Sequence, residues 1–236
     1  MSNSRRQDGN EVVRASRTLS ALGLVTAFGH VSVRAGSAML ITPATDLADV
    51  TQANLVEVDL WTPSLPRGAP AEAWAHLAVY AGRPDVQAIA RAQPPAAFAA
   101  AAALSGRACG VPVLPLLHGQ ACWLGERVPV HQDARLLRSP DLAAAAAATL
   151  GPSDALLLRG NGGLTCGASP GLAAARMWLL SAACQTWLAA AACGTPLPME
   201  PAEAASWRAV AGELLPRLWN RLSGGTSDGT TAAGGN

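Results

Sequence analysis

The side chains best suited to chemistry in this sequence are a glutamate and four histidines. Glu72 is followed at intervals of four residues by His76 and Tyr80, so a helix here would carry all three on roughly one face. A carboxylate can move a proton, and imidazole titrates near neutral pH. We expect His76 to be a hydrogen-bonded core residue rather than a catalyst. No pair of histidines has the close spacing typical of a metal site; the four are His30, His76, His118 and His131.

The sequence contains no lysine, because all 17 basic residues are arginines. Schiff-base aldolases, pyridoxal-phosphate enzymes and Walker-type phosphate loops all need a lysine amine, so these classes are excluded. The net charge is only +1, and the arginines are scattered along the chain. We therefore expect no nucleic-acid partner and no membrane partner, but a small neutral or monoanionic substrate.

The cysteines indicate a reducing compartment. There are five of them, an odd number, without a Cys-x-x-Cys pair. This pattern predicts reduced thiols in a cytoplasmic protein. The first ten residues are polar and lack the apolar stretch of a signal peptide, and the alanine-rich segments are too weakly apolar to span a membrane. The cysteines are Cys109, Cys122, Cys166, Cys184 and Cys193.

The elements that must position these side chains alternate between helices and short strands in one α/β domain. We expect disorder over 1–10, a single domain over 11–222 and a flexible tail over 223–236. The apolar periodicity predicts helices over 11–22, 70–80, 95–104, 141–149, 170–193 and 203–222, the last being a C-terminal helix. It predicts strands over 30–34, 38–42, 56–60, 86–90, 155–158 and 164–166.

Five short motifs, taken in order, resemble the class II aldolase/adducin family over about 12–194. They are Phe28-Gly29-His30-Val31-Ser32-Val33-Arg34, Leu40-Ile41-Thr42-Pro43, Glu72-x3-His76-x3-Tyr80, Arg83-Pro84-Asp85-Val86 and Leu156-Leu157-Leu158-Arg159-Gly160-Asn161-Gly162. The resemblance implies a three-layer α/β/α fold around a central, mainly antiparallel sheet. It also implies a homo-oligomer, with a tetramer favoured.

The same resemblance implies an altered metal site. Members of the family hold a divalent metal with three histidines, and the matching positions here look like Arg91, Gln93 and Asn161. A guanidinium is a permanent cation with no lone pair to give a metal. We therefore expect no metal cofactor at these positions. The alternative is a divalent metal at a non-standard site made by His30 or His118 with Glu72.

The resemblance also implies roles for the residues of the pocket. Arg91 would hold a carboxylate or an oxyanion, and His30 or His118 would protonate the carbon. Glu72 would orient or relay the proton. Gln93 and Asn161 would donate hydrogen bonds to substrate, and the remaining expected substrate-binding residues are Gly29 and Thr42.

The family's phosphate-binding residues are replaced in this sequence. Thr42-Pro43-Ala44-Thr45 stands where sugar-phosphate enzymes of the family have Thr-Pro-x-Gly, and Pro70-Ala71 stands where they have a serine pair. Without these donors, a phosphorylated sugar would lose much of its binding enthalpy. The substitution favours a carboxylated or aromatic substrate.

These features lead to one expected function and two alternatives. The first is a metal-independent carbon–carbon lyase, most concretely a decarboxylase of a small hydroxy or aromatic acid in a specialised biosynthetic pathway. The second is a pocket reused for cyclisation, dehydration or aldol chemistry. The third is a non-catalytic, adducin-like binding or scaffold protein, in which Glu72 and Arg91 would pair and fill the pocket.

Overall fold

An eight-stranded sheet forms the centre of the molecule. The computed structural model describes residues 3–106 and 110–224. The strand order is β3-β2-β1-β4-β8-β7-β6-β5, and every neighbouring pair is antiparallel except β6 and β7. The expected mainly antiparallel sheet is thus confirmed. The strands are β1 (His30–Ala35), β2 (Ala38–Ile41), β3 (Val56–Asp59), β4 (Ala88–Ala92), β5 (Val113–Leu114), β6 (Val128–His131), β7 (Ala155–Leu158) and β8 (Gly162–Gly167).

Helices cover both faces of this sheet and complete three layers. Helices α1, α3 and α5 pack together on one face, whereas α2 and α4 pack together on the other. Two C-terminal helices, α6 and α7, extend the first layer. The helices are α1 (Asn3–Ala21), α2 (Ala73–Gly82), α3 (Pro95–Ser105), α4 (Pro140–Leu150), α5 (Pro170–Cys193), α6 (Pro201–Ala209) and α7 (Ala211–Leu222).

Alternation along β1 and β4 divides the side chains between two cores. Ala88, Ala90 and Ala92 face the core under α5, where their small side chains let the long helix approach the sheet closely. Ile89 faces the core under α2. Arg91 is two residues further along β4 and therefore points to the α2 face. The polar site accordingly lies on the face with fewer helices.

Both ends of the chain differ from the sequence expectation. Helix α1 begins at Asn3, within the segment expected to be disordered, and its first turns contact β3 through an ion pair of Arg5 with Glu57. The expected helix over 203–222 is interrupted at Val210. The Trp207 carbonyl there accepts a hydrogen bond from the Trp123 indole at 2.9 Å, which competes with the helical bond.

Some of the expectations concern residues that the structure does not describe. Cys109 lies outside the described residues, and so does the expected flexible tail from residue 225 onward. Over 3–106 and 110–224, no helix combines the length and hydropathy that a membrane span requires.

Gly162 holds the turn between β7 and β8 against the end of β4. Its φ is +86°, and a Cβ at this position would collide with the Ala92 carbonyl and lie 2.7 Å from Gln93 Cα. Gly36, in the turn between β1 and β2, also has a positive φ of +69°, but nothing lies within 4 Å of its Cβ position. Gly36 therefore provides a matched control for the effect of the close approach.

We expect Gly162→Ala to destabilise the fold more than Gly36→Ala. The left-handed backbone alone should cost about 1–2 kcal/mol in both variants. The collision at Gly162 should add to that cost, because the β4 backbone must shift to relieve it. Urea unfolding of both variants measures the difference. Equal free energies of unfolding would contradict the close approach.

Candidate active site

A cavity of about 390 Å³ opens on the α2 face, where β1 and β4 meet the turn between β7 and β8. Five residues singled out from the sequence line it together, namely His30, Glu72, Arg91, Gln93 and Asn161. These positions are remote in sequence, and the pairing of His30 with Arg91 across β1 and β4 brings two of them side by side. The other lining residues are Ala27, Phe28, Ala44, Thr45, Leu136, Arg138 and Gly160.

Arg91 is the buried cation of this cavity, with only 4% of its surface exposed. Its Nη2 donates hydrogen bonds to the side-chain oxygen and to the backbone carbonyl of Asn161, the latter at 3.3 Å. Burial lowers the pKa of Arg91 to about 10, although the nearby Glu72 opposes this shift. Arg91 therefore stays positively charged at neutral pH.

Asn161 and Gln93 extend the contacts of Arg91. Asn161 lies in the turn before β8, and its Oδ1 accepts hydrogen bonds from Arg91 Nη2 and, at 3.2 Å, from Gln93 Nε2. These two donors fix the orientation of the Asn161 amide, so its NH₂ group is the free end. A substrate oxygen near Asn161 would meet a donor.

Glu72 bridges the mouth and the interior of the cavity. It precedes the first turn of α2, and its Oε1 accepts a hydrogen bond from Arg138 Nε at 2.8 Å. Its Oε2 lies 3.9 Å from His30 Nε2. Burial acts to raise the pKa of Glu72, but the hydrogen bond from Arg138 and the other nearby polar groups outweigh it, so the pKa is lowered. Glu72 is therefore a carboxylate at neutral pH.

Sequence reasoning missed Arg138. It is 66 residues from Glu72 in the chain and lies in the irregular segment before α4. The sequence around Arg138 contains no motif that would distinguish it from the other arginines of the chain as a site residue. Only the folding of the 132–139 segment over α2 brings this guanidinium to the cavity.

His30 is a buried, neutral imidazole. Burial, followed by repulsion from Arg91, lowers its pKa to about 4. Its Nδ1 is buried and has no hydrogen-bond partner among the residues that the structure describes. Since the imidazolium form is rare at neutral pH, a bound anion would be needed to raise the pKa of His30 before it could act as an acid.

The His76 ring lies behind His30, at a centroid distance of 6.4 Å. It is fully buried, and its Nδ1 is 2.7 Å from the Ser32 hydroxyl, which in turn lies 2.8 Å from the Tyr80 hydroxyl. His76 is thus a hydrogen-bonded core residue. This network fixes the floor against which His30 packs.

Three of the expected site residues do not line the cavity. The Thr42 hydroxyl instead accepts a hydrogen bond from the Val31 backbone at 3.2 Å and is fully buried. Gly29 is a packing position, because a Cβ there would lie 2.6 Å from a methyl of Val25. His118 caps a short 3₁₀ helix, where its Nδ1 accepts the Ala121 N–H at 3.3 Å.

The residues present do not fit a metal of the kind that the family resemblance implies. Arg91 places a positive charge next to Gln93 and Asn161, and its guanidinium has no lone pair to donate to a metal. The Asn161 oxygen is already committed to two N–H donors. Over the described parts of the chain, no group of three or more His, Cys, Asp or Glu side chains is arranged to hold a metal ion. Of the two histidines considered for a non-standard site with Glu72, His118 does not line the cavity, whereas His30 lies 3.9 Å from Glu72 Oε2.

Comparisons with known proteins identify the family. The model of the class II aldolase and adducin N-terminal domain matches residues 10–188. The chain belongs to the class II aldolase and adducin family. The resemblance found in the five motifs is thereby confirmed, and so is the fold class. No curated protein matches the sequence.

Solved structures of this family superpose on most of the chain. L-fuculose-1-phosphate aldolase from Thermus thermophilus is 28% identical, with a TM-score of 0.69, covering 80% of this chain and 97% of that one. The L-fuculose 1-phosphate aldolase from Glaciozyma antarctica is 20% identical, with a TM-score of 0.76, covering 94% and 90% respectively. YgbL from Escherichia coli is 20% identical, with a TM-score of 0.74, covering 87% and 100%. The last two show likeness of fold alone.

The buried His30 makes stability depend on pH. Because its pKa is about 4 in the folded state and about 6.5 when unfolded, only the unfolded chain binds a proton between these values. Stability should therefore fall as the pH drops from 6.5 to 4, by about 3 kcal/mol from this residue. Urea unfolding across this range should show a shallower loss in His30→Gln. An identical slope in both proteins would contradict the neutral, buried state of His30.

Proposed function

We propose that this family member is a carbon–carbon lyase that decarboxylates a small hydroxy or aromatic acid without a resident metal. The observation that carries the proposal is the buried, charged Arg91 facing an open cavity. Glu72 pairs with Arg138 rather than with Arg91, so the two do not close on each other. This arrangement favours an enzyme over a binding protein with a filled pocket.

Arg91 supports the lyase chemistry by its charge. When the bond to the carboxyl carbon breaks, carbon dioxide leaves and the electron pair stays on the substrate carbon. A carbonyl oxygen conjugated with that carbon can take up this charge as an oxyanion, and in a hydroxybenzoic acid whose ring carbon has been protonated the phenolic oxygen does so. A fixed guanidinium and the Asn161 amide would stabilise that oxyanion, which is the role a metal plays in relatives that have one.

The proton that completes the reaction is assigned to His30. A substrate anion beside the ring raises its pKa, so His30 takes up a proton from solvent and later delivers it to the carbon. Glu72 Oε2, 3.9 Å from His30 Nε2, orients the ring and stabilises its protonated form. Electrons and protons then balance, because the proton on carbon replaces the departed carboxyl group.

The apolar side of the cavity supports an aromatic or compact hydrocarbon group on the acid. Phe28 and Leu136 line the cavity and are both exposed, Phe28 to 63%. Large apolar side chains that are exposed beside a polar cavity are shielded from water when they contact a ligand, and this stabilises the complex.

The test is carbon dioxide release from a panel of hydroxybenzoic acids and of small hydroxy acids with a carbonyl β to the carboxyl group, in the presence of a chelator. We expect turnover of at least one acid by the wild type and a loss of about 10²- to 10⁴-fold in Glu72→Gln. Cleavage of a sugar phosphate by the same protein, with no acid decarboxylated, would overturn the proposal.

The proposal includes two features of the whole protein. The family resemblance favours a homo-oligomer, with a tetramer as the favoured state. The absence of paired-cysteine motifs in the sequence favours a cytoplasmic enzyme. Light scattering of the purified protein measures the oligomeric state directly.

A further inference from the structure

Arg138 holds an unusual position at the mouth of the cavity. It lines the cavity together with Glu72, yet 56% of its side chain is exposed, against 12% for Glu72. Its Nε donates to Glu72 Oε1 at 2.8 Å. It lies on irregular backbone between β6 and α4, so its position does not depend on a helix or a strand. A guanidinium placed in this way can exchange one carboxylate partner for another.

The charges around the cavity do not balance. Arg91 and Arg138 are two cations, and Glu72 is the one carboxylate among the lining residues. His30 is neutral at pH 7, since its pKa is about 4. The lining therefore carries one excess positive charge, and a monoanionic ligand would neutralise it.

Arg91 is poorly placed to receive that anion first. It is buried at the inner end and already donates to Asn161. If Arg91 meets the oxyanion that forms during reaction, the carboxylate of the incoming acid needs a different partner. An exposed arginine at the mouth suits this purpose, because a solvent-exposed contact does not over-stabilise a carboxylate that must later leave.

We infer that Arg138 is the residue that selects and admits a monoanionic carboxylate, exchanging Glu72 for the carboxylate of the ligand. This inference rests on the proposed function and names an anion-binding residue of that site. Release from Arg138 leaves Glu72 free to approach His30 through its other oxygen. Binding of the acid thereby prepares the proton-transfer pair.

The first test is the binding of benzoate by calorimetry to the wild type, Arg138→Gln and Arg135→Gln. Arg135 is the matched control, because it lies on the same exposed segment and pairs with Asp133 outside the cavity. Both variants remove one positive charge. We expect Arg138→Gln to weaken binding by about 10- to 100-fold and Arg135→Gln to leave it nearly unchanged.

The second readout is the ionisation of Glu72, followed by carbon-13 NMR of the side-chain carboxyl group. The charged or titratable groups facing this carboxylate are His30 from β1, Arg91 from β4 and Arg138 from the 132–139 segment. Saturating benzoate should raise the pKa of Glu72 in the wild type, since the Arg138 hydrogen bond is lost. In Arg138→Gln the pKa should already be raised and should change little with benzoate.

Each outcome decides the inference. Equal weakening of benzoate binding in both variants would show only an effect of net charge. Unchanged benzoate binding in Arg138→Gln would show that Arg138 only holds Glu72 in place. Either result overturns the inference. An unchanged Glu72 titration in the presence of bound benzoate also overturns the exchange. Benzoate binding that depends on Arg138, in a protein that decarboxylates nothing, would instead sink the proposed function and leave the anion site standing.

Discussion

Replacing Arg91 with methionine (Arg91→Met) should lower the rate of decarboxylation by about 10²- to 10³-fold, the usual cost of removing a group that stabilises a developing oxyanion. Arg91 is the buried cation that faces the cavity, and no other arginine lies at its inner end among the lining residues. The loss should appear mainly in kcat, because the charge that Arg91 stabilises develops only as the bond breaks.

Two controls separate this effect from misfolding. Methionine is apolar and leaves the buried Asn161 carbonyl and side-chain oxygen without the Arg91 donor. The free energy of unfolding should therefore fall by about 1–3 kcal/mol, and urea unfolding establishes that the variant is still folded under the assay conditions. Arg91→Lys keeps the charge but loses the planar contact with Asn161, so it should retain part of the activity. Full activity in Arg91→Met would refute the assigned role of Arg91.

The triple variant Arg91→His, Gln93→His, Asn161→His should bind one zinc ion per chain, whereas the wild type should bind none at this site. Positions 91 and 93 are two residues apart on an extended segment and so point to the same side. Both side chains hydrogen-bond to Asn161, which lies in the turn before the neighbouring strand β8. Three imidazoles at these positions would form a three-nitrogen set, which suits zinc.

Titration with zinc, with the bound metal measured per chain, tests this prediction. Circular dichroism of the variant establishes that the fold is retained. The double variant Arg91→His, Gln93→His is the control, because two imidazoles should bind zinc far more weakly than three. A folded triple variant that takes up no zinc would mean that the three positions do not converge as the structure indicates.

Much of the fold could be predicted from the sequence, because the apolar periodicity of a segment and the proline or glycine at its ends indicate the same element. Helix α5 has the predicted bounds, Pro170–Cys193, with proline in its first turn and glycine at its end. Strand β7 matches its predicted bounds, Ala155–Leu158. The terminal helices were predicted less well, and there Arg5 contacts Glu57 and Trp207 contacts Trp123. Such contacts join segments that are remote in sequence.

The site residues could be predicted from the sequence only at positions that match the motifs of the family. His30, Glu72, Arg91, Gln93 and Asn161 do line one cavity, as the resemblance implied. Type and spacing could not reveal that the Thr42 hydroxyl is committed to a backbone N–H or that a segment from another part of the chain supplies Arg138. The hydrogen-bond partner of Glu72 is Arg138, which only the fold brings next to it.

We propose that the fixed guanidinium of Arg91 stands where the family resemblance implies a metal. Elemental analysis tests it most directly, on the wild type equilibrated with zinc, manganese or cobalt and then dialysed. We predict that no metal remains in stoichiometric amount, and that acid binding is unchanged by the treatment. One tightly held metal ion per chain would contradict this assignment of Arg91 and would require a site built from His30 and Glu72 instead.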